Sequence, residues 1–169
     1  ISGEIPSLDP ANAYDTISGS IVYQVYEQLY QYHYLKRPYT LIPLLAEALP
    51  SVDKNGTRYT IKIKKGIPYH DSKVFGGKTR YLKAQDFVTQ IKRLAYIPTK
   101  SNGWWLFDNR IKGLNQFRNS VGRDFEKFKT TPVSGLQTPD DHTLVIGLTS
   151  PYPQMLYSLA MSFTTPLPL

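Results

Sequence analysis

The sequence contains no cysteine, which excludes a disulfide scaffold, a thiolate zinc site, an iron–sulfur centre and cysteine catalysis. It has no long apolar run either: the longest, such as Leu144 to Leu148, are about five residues, far short of a bilayer-spanning helix. Histidine is scarce, and His33, His70 and His142 lie far apart with no ligand spacing, so no metal site is expected. There is no internal repeat, no Gly-x-Ser-x-Gly elbow and no Gly-x-Gly-x-x-Gly fingerprint. Gly76-Gly77-Lys78-Thr79 imitates the tail of a phosphate-binding loop, but Ser72 stands where its first glycine belongs. The one adjacent acidic pair near the C-terminal end, Asp140-Asp141, falls where a turn is expected. These absences leave no catalytic residues and no cofactor to propose, and the chain is read as not an enzyme.

Acid is outnumbered, with 13 Asp and Glu against 20 Lys and Arg and a net charge of +7. That balance keeps one alternative open, a basic module binding nucleic acid or another polyanion. Against it, the basic residues are spread along the chain and carry no recognised nucleic-acid motif. What the sequence has in excess is tyrosine, 13 in 169 residues, beside 7 Phe and 2 Trp. Tyrosine suits recognition surfaces, because its ring stacks while its hydroxyl hydrogen-bonds.

Patterning predicts an α+β chain. Ile17, Ile21, Val25 and Leu29 recur at spacing four and predict a helix capped by Asp15, Thr16 or Ser18. Tyr23, Tyr26, Tyr30 and Tyr34 form a second stripe on it, either packed on the fold or left as an aromatic ridge. From Pro38 to Pro50, prolines predict short extended pieces around a helical turn at Leu44 to Ala48. Asp53-Lys54-Asn55-Gly56 then predicts a hairpin turn, with Tyr59, Ile61 and Ile63 facing the core and Arg58, Lys62 and Lys64 facing out. After a Gly- and Pro-marked loop, Lys83 to Tyr96 reads as a helix with Phe87, Ile91, Leu94 and Ala95 on one face. The stretch from Ile97 to Thr131 is irregular, with a short helix around Arg123 to Lys129. Leu144, Ile146 and Leu148 predict a strand, and Met155 to Ala160 a final short helix.

Several of these segments, in this order, resemble the extracytoplasmic solute-binding proteins of peptide and nickel ABC importers, the oligopeptide- and dipeptide-binding group. Ser7-Leu8-Asp9-Pro10 is similar to the family's early Leu-Asp-Pro, and Val25-Tyr26-Glu27-Gln28-Leu29 to its Ile-Tyr-Glu-Gly-Leu. Leu45-Ala46-Glu47-Ala48-Leu49 resembles Leu-Ala-Glu-Ser-Trp. Gly56 to Asp71 resembles a hairpin strand running into Arg-Lys-Gly-Val-Lys-Phe-His-Asp, the most specific of the matches. Lys83-Ala84-Gln85-Asp86-Phe87 and Asp141 to Pro153 match the helix start and the strand with its proline corner. Gln28, Leu49 and Lys83 depart from the pattern, the loop from Ser72 to Leu82 is longer than usual, and Ile97 to Gly135 carries no clear motif.

The resemblance implies part of a type II periplasmic-binding-protein fold, in which two lobes close on a ligand. The sheet would be small, mixed and largely antiparallel, with flanking helices. Residues 1–26 would be a remnant of the first lobe, and residues 27–169 a small domain inserted in it. The opening at Ile1 and the apolar ending at Leu169 agree with a chain lacking its targeting segment and cut at a domain boundary, with exposed apolar patches on the first helix and the last segment. The implied function is capture of peptides, or a related small solute, in the periplasm or outside the cell, with or without a lipid anchor, and delivery to the ABC permease. The implied partners are the solute, the permease subunits and the missing second lobe. By position after Leu8-Asp9-Pro10, Tyr14, Asp15 and Thr16 would face the ligand, unless they are an ordinary helix cap. Trp104 would reach toward the cleft, unless it packs in the core.

Overall fold

Six strands and five α-helices build the computed structural model, which describes residues 4–169; Ile1 to Gly3, where the first-lobe remnant was expected to start, lie outside it. A four-stranded antiparallel sheet forms the centre, in the order β3-β4-β6-β5. Its strands are β3 (Ser51–Val52), β4 (Arg58–Lys62), β5 (Leu136–Asp140) and β6 (Thr143–Gly147). The hairpin between β3 and β4 forms as the sequence predicts. Gly56 takes φ of +66°, and the Asp53 carboxylate accepts the N–H groups of Thr57 and Arg58 at 2.7 and 2.8 Å. β4 then pairs with β6, which sets Tyr59 opposite Ile146 and Ile61 opposite Leu144 on the core face.

Helix α2 (Ala84–Ala95) lies against that sheet, and all its predicted apolar residues are buried. Its start is held by Asp86, which is itself buried. The Asp86 carboxylate accepts from the Lys83 N–H at 2.9 Å, from Arg80 at 2.6 Å and from the Tyr69 hydroxyl at 3.1 Å. Lys83 takes the cap position usually given to threonine, and this backbone bond to Asp86 satisfies an end that its own side chain cannot. Helices α3 (Leu114–Val121) and α4 (Phe125–Thr130) follow. The second agrees with the short helix expected there. The first was not foreseen, because Leu114, Phe117 and Val121 are too few to make a strong period in a polar stretch. Helix α5 (Met155–Ser158) and a short turn at Ser162–Thr164 close the chain.

Helix α1 differs from its expectation. It spans Thr16–Val25 and stops at Tyr26, and the chain continues as β1 (Tyr30–Tyr32), paired antiparallel with β2 (Leu41–Pro43). The tyrosine stripe is therefore not helical: Tyr23 lies on the helix, Tyr30 is fully buried in the sheet pair, and Tyr34 is exposed beyond it. The helix buries Ser18 and Val22, while Val25 faces outward. Spacing four between Ile17 and Leu29 looked helical throughout, but Leu29 lies in a bend just before β1, its carbonyl accepting the N–H groups of Leu44 and Ala46 at 2.9 and 3.2 Å. The expected helical turn at Leu44 to Ala48 is likewise absent. Those residues form bends around a single bridge from Ala46 to Ile63, with the Lys64 N–H donating to the Leu45 carbonyl.

Candidate functional site

The segment after Leu8-Asp9-Pro10 is built on Asp9. Its main-chain carbonyl accepts the N–H groups of Asn12 and Ala13, both at 2.9 Å, and its carboxylate accepts the N–H of Ala11 at 3.0 Å. Both carboxylate oxygens also receive Arg93, at 3.2 and 2.6 Å, which ties this first turn to the end of α2. Partial burial works to raise the Asp9 pKa, but the Arg93 guanidinium and the Ala11 N–H outweigh it and hold the carboxyl below its ordinary value.

Beyond that turn the backbone is extended and open. Asp15 caps α1, accepting the Ser18 N–H at 2.8 Å, a bond that pulls its own pKa down. Among the described residues, nothing bonds to the Ala13 carbonyl or to either backbone polar group of Tyr14. Tyr14 and Thr16 are exposed; the Tyr14 ring stands 5.6 Å from that of Phe163.

The second predicted element arrives beside it. Ser101 Oγ and the Asn102 N–H donate to the Ala11 carbonyl at 2.7 and 3.2 Å, and Asn102 Nδ2 donates to the Asn12 carbonyl at 2.8 Å. The turn from Ser101 to Gly103 is thus clamped onto the segment leading to Tyr14. Gly103 lies flat on the Phe163 ring, so near that a Cβ there would sit 2.5 Å from Cδ1. Trp104 itself is half-buried, packed against the core with Arg118 over its ring at 4.8 Å. Its neighbour Trp105 is the more exposed of the two, at 54%. Residues 90 positions apart in sequence therefore meet around Phe163, which no local pattern in the sequence marks.

A cleft of about 920 Å³ opens elsewhere, between the end of α1, β1, the loop from Ile67 to Phe75 and the last segment. Its walls are mostly apolar, with Tyr23, Tyr26, Tyr32 and Tyr69 prominent. The Gln28 amide donates to Thr165 Oγ1 at 3.3 Å and the Ser162 N–H to the Tyr23 hydroxyl at 3.2 Å, joining α1 and the segment after it to the end of the chain. None of Tyr14, Asp15, Thr16 or Trp104 lines it. The Tyr69 hydroxyl has its pKa pushed up, first by burial and then by the Asp86 carboxylate it donates to.

Arg80, Lys83, Arg93, Lys127 and Lys129 each pair with a carboxylate, and Lys62 donates to Thr143. Among the described residues no three His, Asp or Glu side chains come close enough to hold a metal ion. No helix among them is long and apolar enough to cross a membrane.

Comparison with known proteins places this geometry. Residues 40–168 match the family described as bacterial extracellular solute-binding proteins, family 5 Middle. Over 127 residues the chain is 33% identical to oligopeptide-binding protein AmiA of Streptococcus pneumoniae, covering 75% of this chain and 18% of that one. It is 30% identical over 129 residues to the dipeptide-binding protein of Escherichia coli, covering 74% and 21%. Among solved structures, the pheromone receptor PrgZ, described with its mode of peptide binding, superposes with a TM-score of 0.77 at 27% identity. That match covers 97% of this chain and 29% of PrgZ. Listeria monocytogenes OppA bound to peptide shares the fold, with a TM-score of 0.77 at 24% identity over 99% of this chain and 30% of its own. The chain thus spans about a fifth of the length of these curated relatives and under a third of the solved chains. The α+β architecture is that of part of a type II periplasmic-binding fold. The relatives are solute-binding proteins, not enzymes, and none of these is named for binding nucleic acid.

Proposed function

We propose, starting from the fact that this chain belongs to family 5 of the bacterial extracellular solute-binding proteins, that it captures peptides for an ABC importer and hands them to the permease. The observation that carries this reading is the backbone left unpaired among the described residues at the Ala13 carbonyl and at both polar groups of Tyr14, braced by the Ser101–Gly103 turn. An extended peptide can add to such an edge through main-chain hydrogen bonds, which give affinity without choosing a side-chain sequence. In this reading Tyr14, Asp15 and Thr16 form the edge. Trp104 supports it from the half-buried side, with Trp105 as the aromatic nearer to solvent.

Residues 1–26 then belong to a first lobe and residues 27–169 to a small domain inserted in it, and a second lobe closes over the ligand. Closure requires contacts that exist only with both lobes present, so the 169-residue chain alone binds weakly. The protein works outside the cytoplasm, and a lipid anchor would keep it near its permease.

Calorimetry tests this directly. A protein carrying both lobes should bind tri- to pentapeptides and lose affinity for peptides N-methylated along the backbone. If it ignores peptides and binds a nickel chelate, sugar or opine instead, the peptide assignment fails while the family stands. Tight peptide binding by residues 1–169 alone would overturn the requirement for closure.

A further inference from the structure

The β1–β2 hairpin ends in a tip, residues 33–40, that none of the above uses. Tyr34 is 88% exposed, Leu35 76% and Tyr39 65%, the most solvent-facing cluster of large apolar side chains in the described chain. The tip is nonetheless ordered by its own bonds. The His33 N–H donates to the Thr40 carbonyl at 2.8 Å, and His33 Nδ1 accepts the N–H groups of Leu35 and Lys36, both at 3.2 Å. Tyr32 meets Tyr39 edge-on at 5.8 Å across the pair.

Charge sets the chemistry of this tip. No acidic residue occurs between Glu27 and Glu47, whereas Lys36 and Arg37 sit at the apex. Arg37 lies over the Tyr39 ring at 4.4 Å and donates to the carbonyls of Tyr34 and Lys36. Among the described residues neither cation pairs with a carboxylate, unlike Arg80, Lys83 and Arg93 elsewhere. Tyrosine and leucine flanked by unpaired Lys and Arg are the side chains that settle at a lipid–water boundary, rings at headgroup depth and cations on phosphates.

We infer that the 33–40 tip is a contact site for an anionic lipid surface, with Tyr34 and Leu35 entering the headgroup region and Lys36 and Arg37 binding lipid phosphates. A protein partner fits less well. A specific protein interface needs about 800 Å² and on the order of 20 residues on each side, and this tip is small and protruding. A bilayer demands no matching surface. Such contact would be weak and reversible by itself, because stable anchoring takes a second signal. The inference rests on the hairpin alone and holds whatever solute the protein carries.

Vesicle co-sedimentation of the protein carrying both lobes tests it. The expected result is binding to vesicles of equal parts phosphatidylglycerol and phosphatidylcholine, weakened by salt, and none to pure phosphatidylcholine. Each cation near such a surface is worth about fivefold in partition, so K36Q/R37Q should lose roughly 25-fold and Y34S/L35S on the order of tenfold. K64Q/K65Q removes the same charge from another exposed site and should change binding by less than about threefold. Circular dichroism confirms that each variant is folded. Absence of vesicle binding overturns the inference, as does binding unaffected by the tip variants, or binding that K64Q/K65Q weakens equally. Self-association lost on Y34S/L35S would overturn it in favour of a second copy of the chain.

Discussion

Helices α1 and α2 are near in length and opposite in use. Of the twelve residues of α2, ten are buried, including the polar Thr89, Gln90 and Lys92; of the ten in α1, only Ser18 and Val22 are. α2 is held by sheet, neighbouring helices and a capped start, so its face is a core. α1 carries Tyr23 and Val25, 52% and 54% exposed, on the rim of the large cleft. A helix buried on nearly all sides belongs to the stability of the domain. One that leaves large apolar side chains uncovered has surface to spare for another body, here proposed to be the rest of a two-lobed protein.

The sharpest way to break that contrast is to remove one ring from each side. Phe87→Ala in α2 should cost about 4 kcal/mol, whereas Tyr23→Ala in α1 should cost only about 1.5 kcal/mol, chiefly for the Ser162 N–H it leaves unpaired. Urea unfolding measures both, and equal losses would erase the distinction. Next in size is Gly103→Ala. Its Cβ would press on Phe163, which is 1% exposed and cannot swing away. About 2 kcal/mol should be lost. The turn bearing Trp104 and Trp105 should also shift, visible as changed tryptophan emission.

Two titrations sharpen the comparison further. Burial lowers the Lys92 pKa below 10.5, so the folded state disfavours the proton that the unfolded chain keeps. Stability should therefore rise as pH climbs toward 10.5, and Lys92→Met should flatten that rise. Asp9 acts with the same sign at the acid end of the scale. Its folded pKa lies below 3.8, so the stability from its Arg93 bond is complete above that value and fades as pH falls through the folded pKa. Asp9→Asn should remove this acid-side slope. It is the smallest of the four effects, since both partners are partly solvated.

The candidate site was legible only in part. Asp15 as a helix cap could be read from its place before Thr16, whereas the ligand-facing role proposed for Tyr14 rests on the Leu8-Asp9-Pro10 resemblance. The clamp that positions that edge could not be read. Ser101 and Asn102 are ordinary loop residues, and their bonds to the carbonyls of Ala11 and Asn12 exist only once the chain has folded back. The same is true of Trp105 being more exposed than Trp104, since adjacent residues in an irregular turn have no period to separate them.

What the sequence determined by itself was local. The Asp53–Gly56 turn, the alternation through Ile63, the period of α2 and the proline corner after Thr149 each depend on side-chain spacing and turn chemistry within a few residues. Tertiary structure alone decided where α1 stops. Spacing four continues from Ile17 to Leu29 without a break, so nothing local ends the helix. The chain leaves it because Leu29 and Tyr30 bury fully once β1 pairs with β2, and a strand partner more than ten residues away outweighs the helical bonds given up.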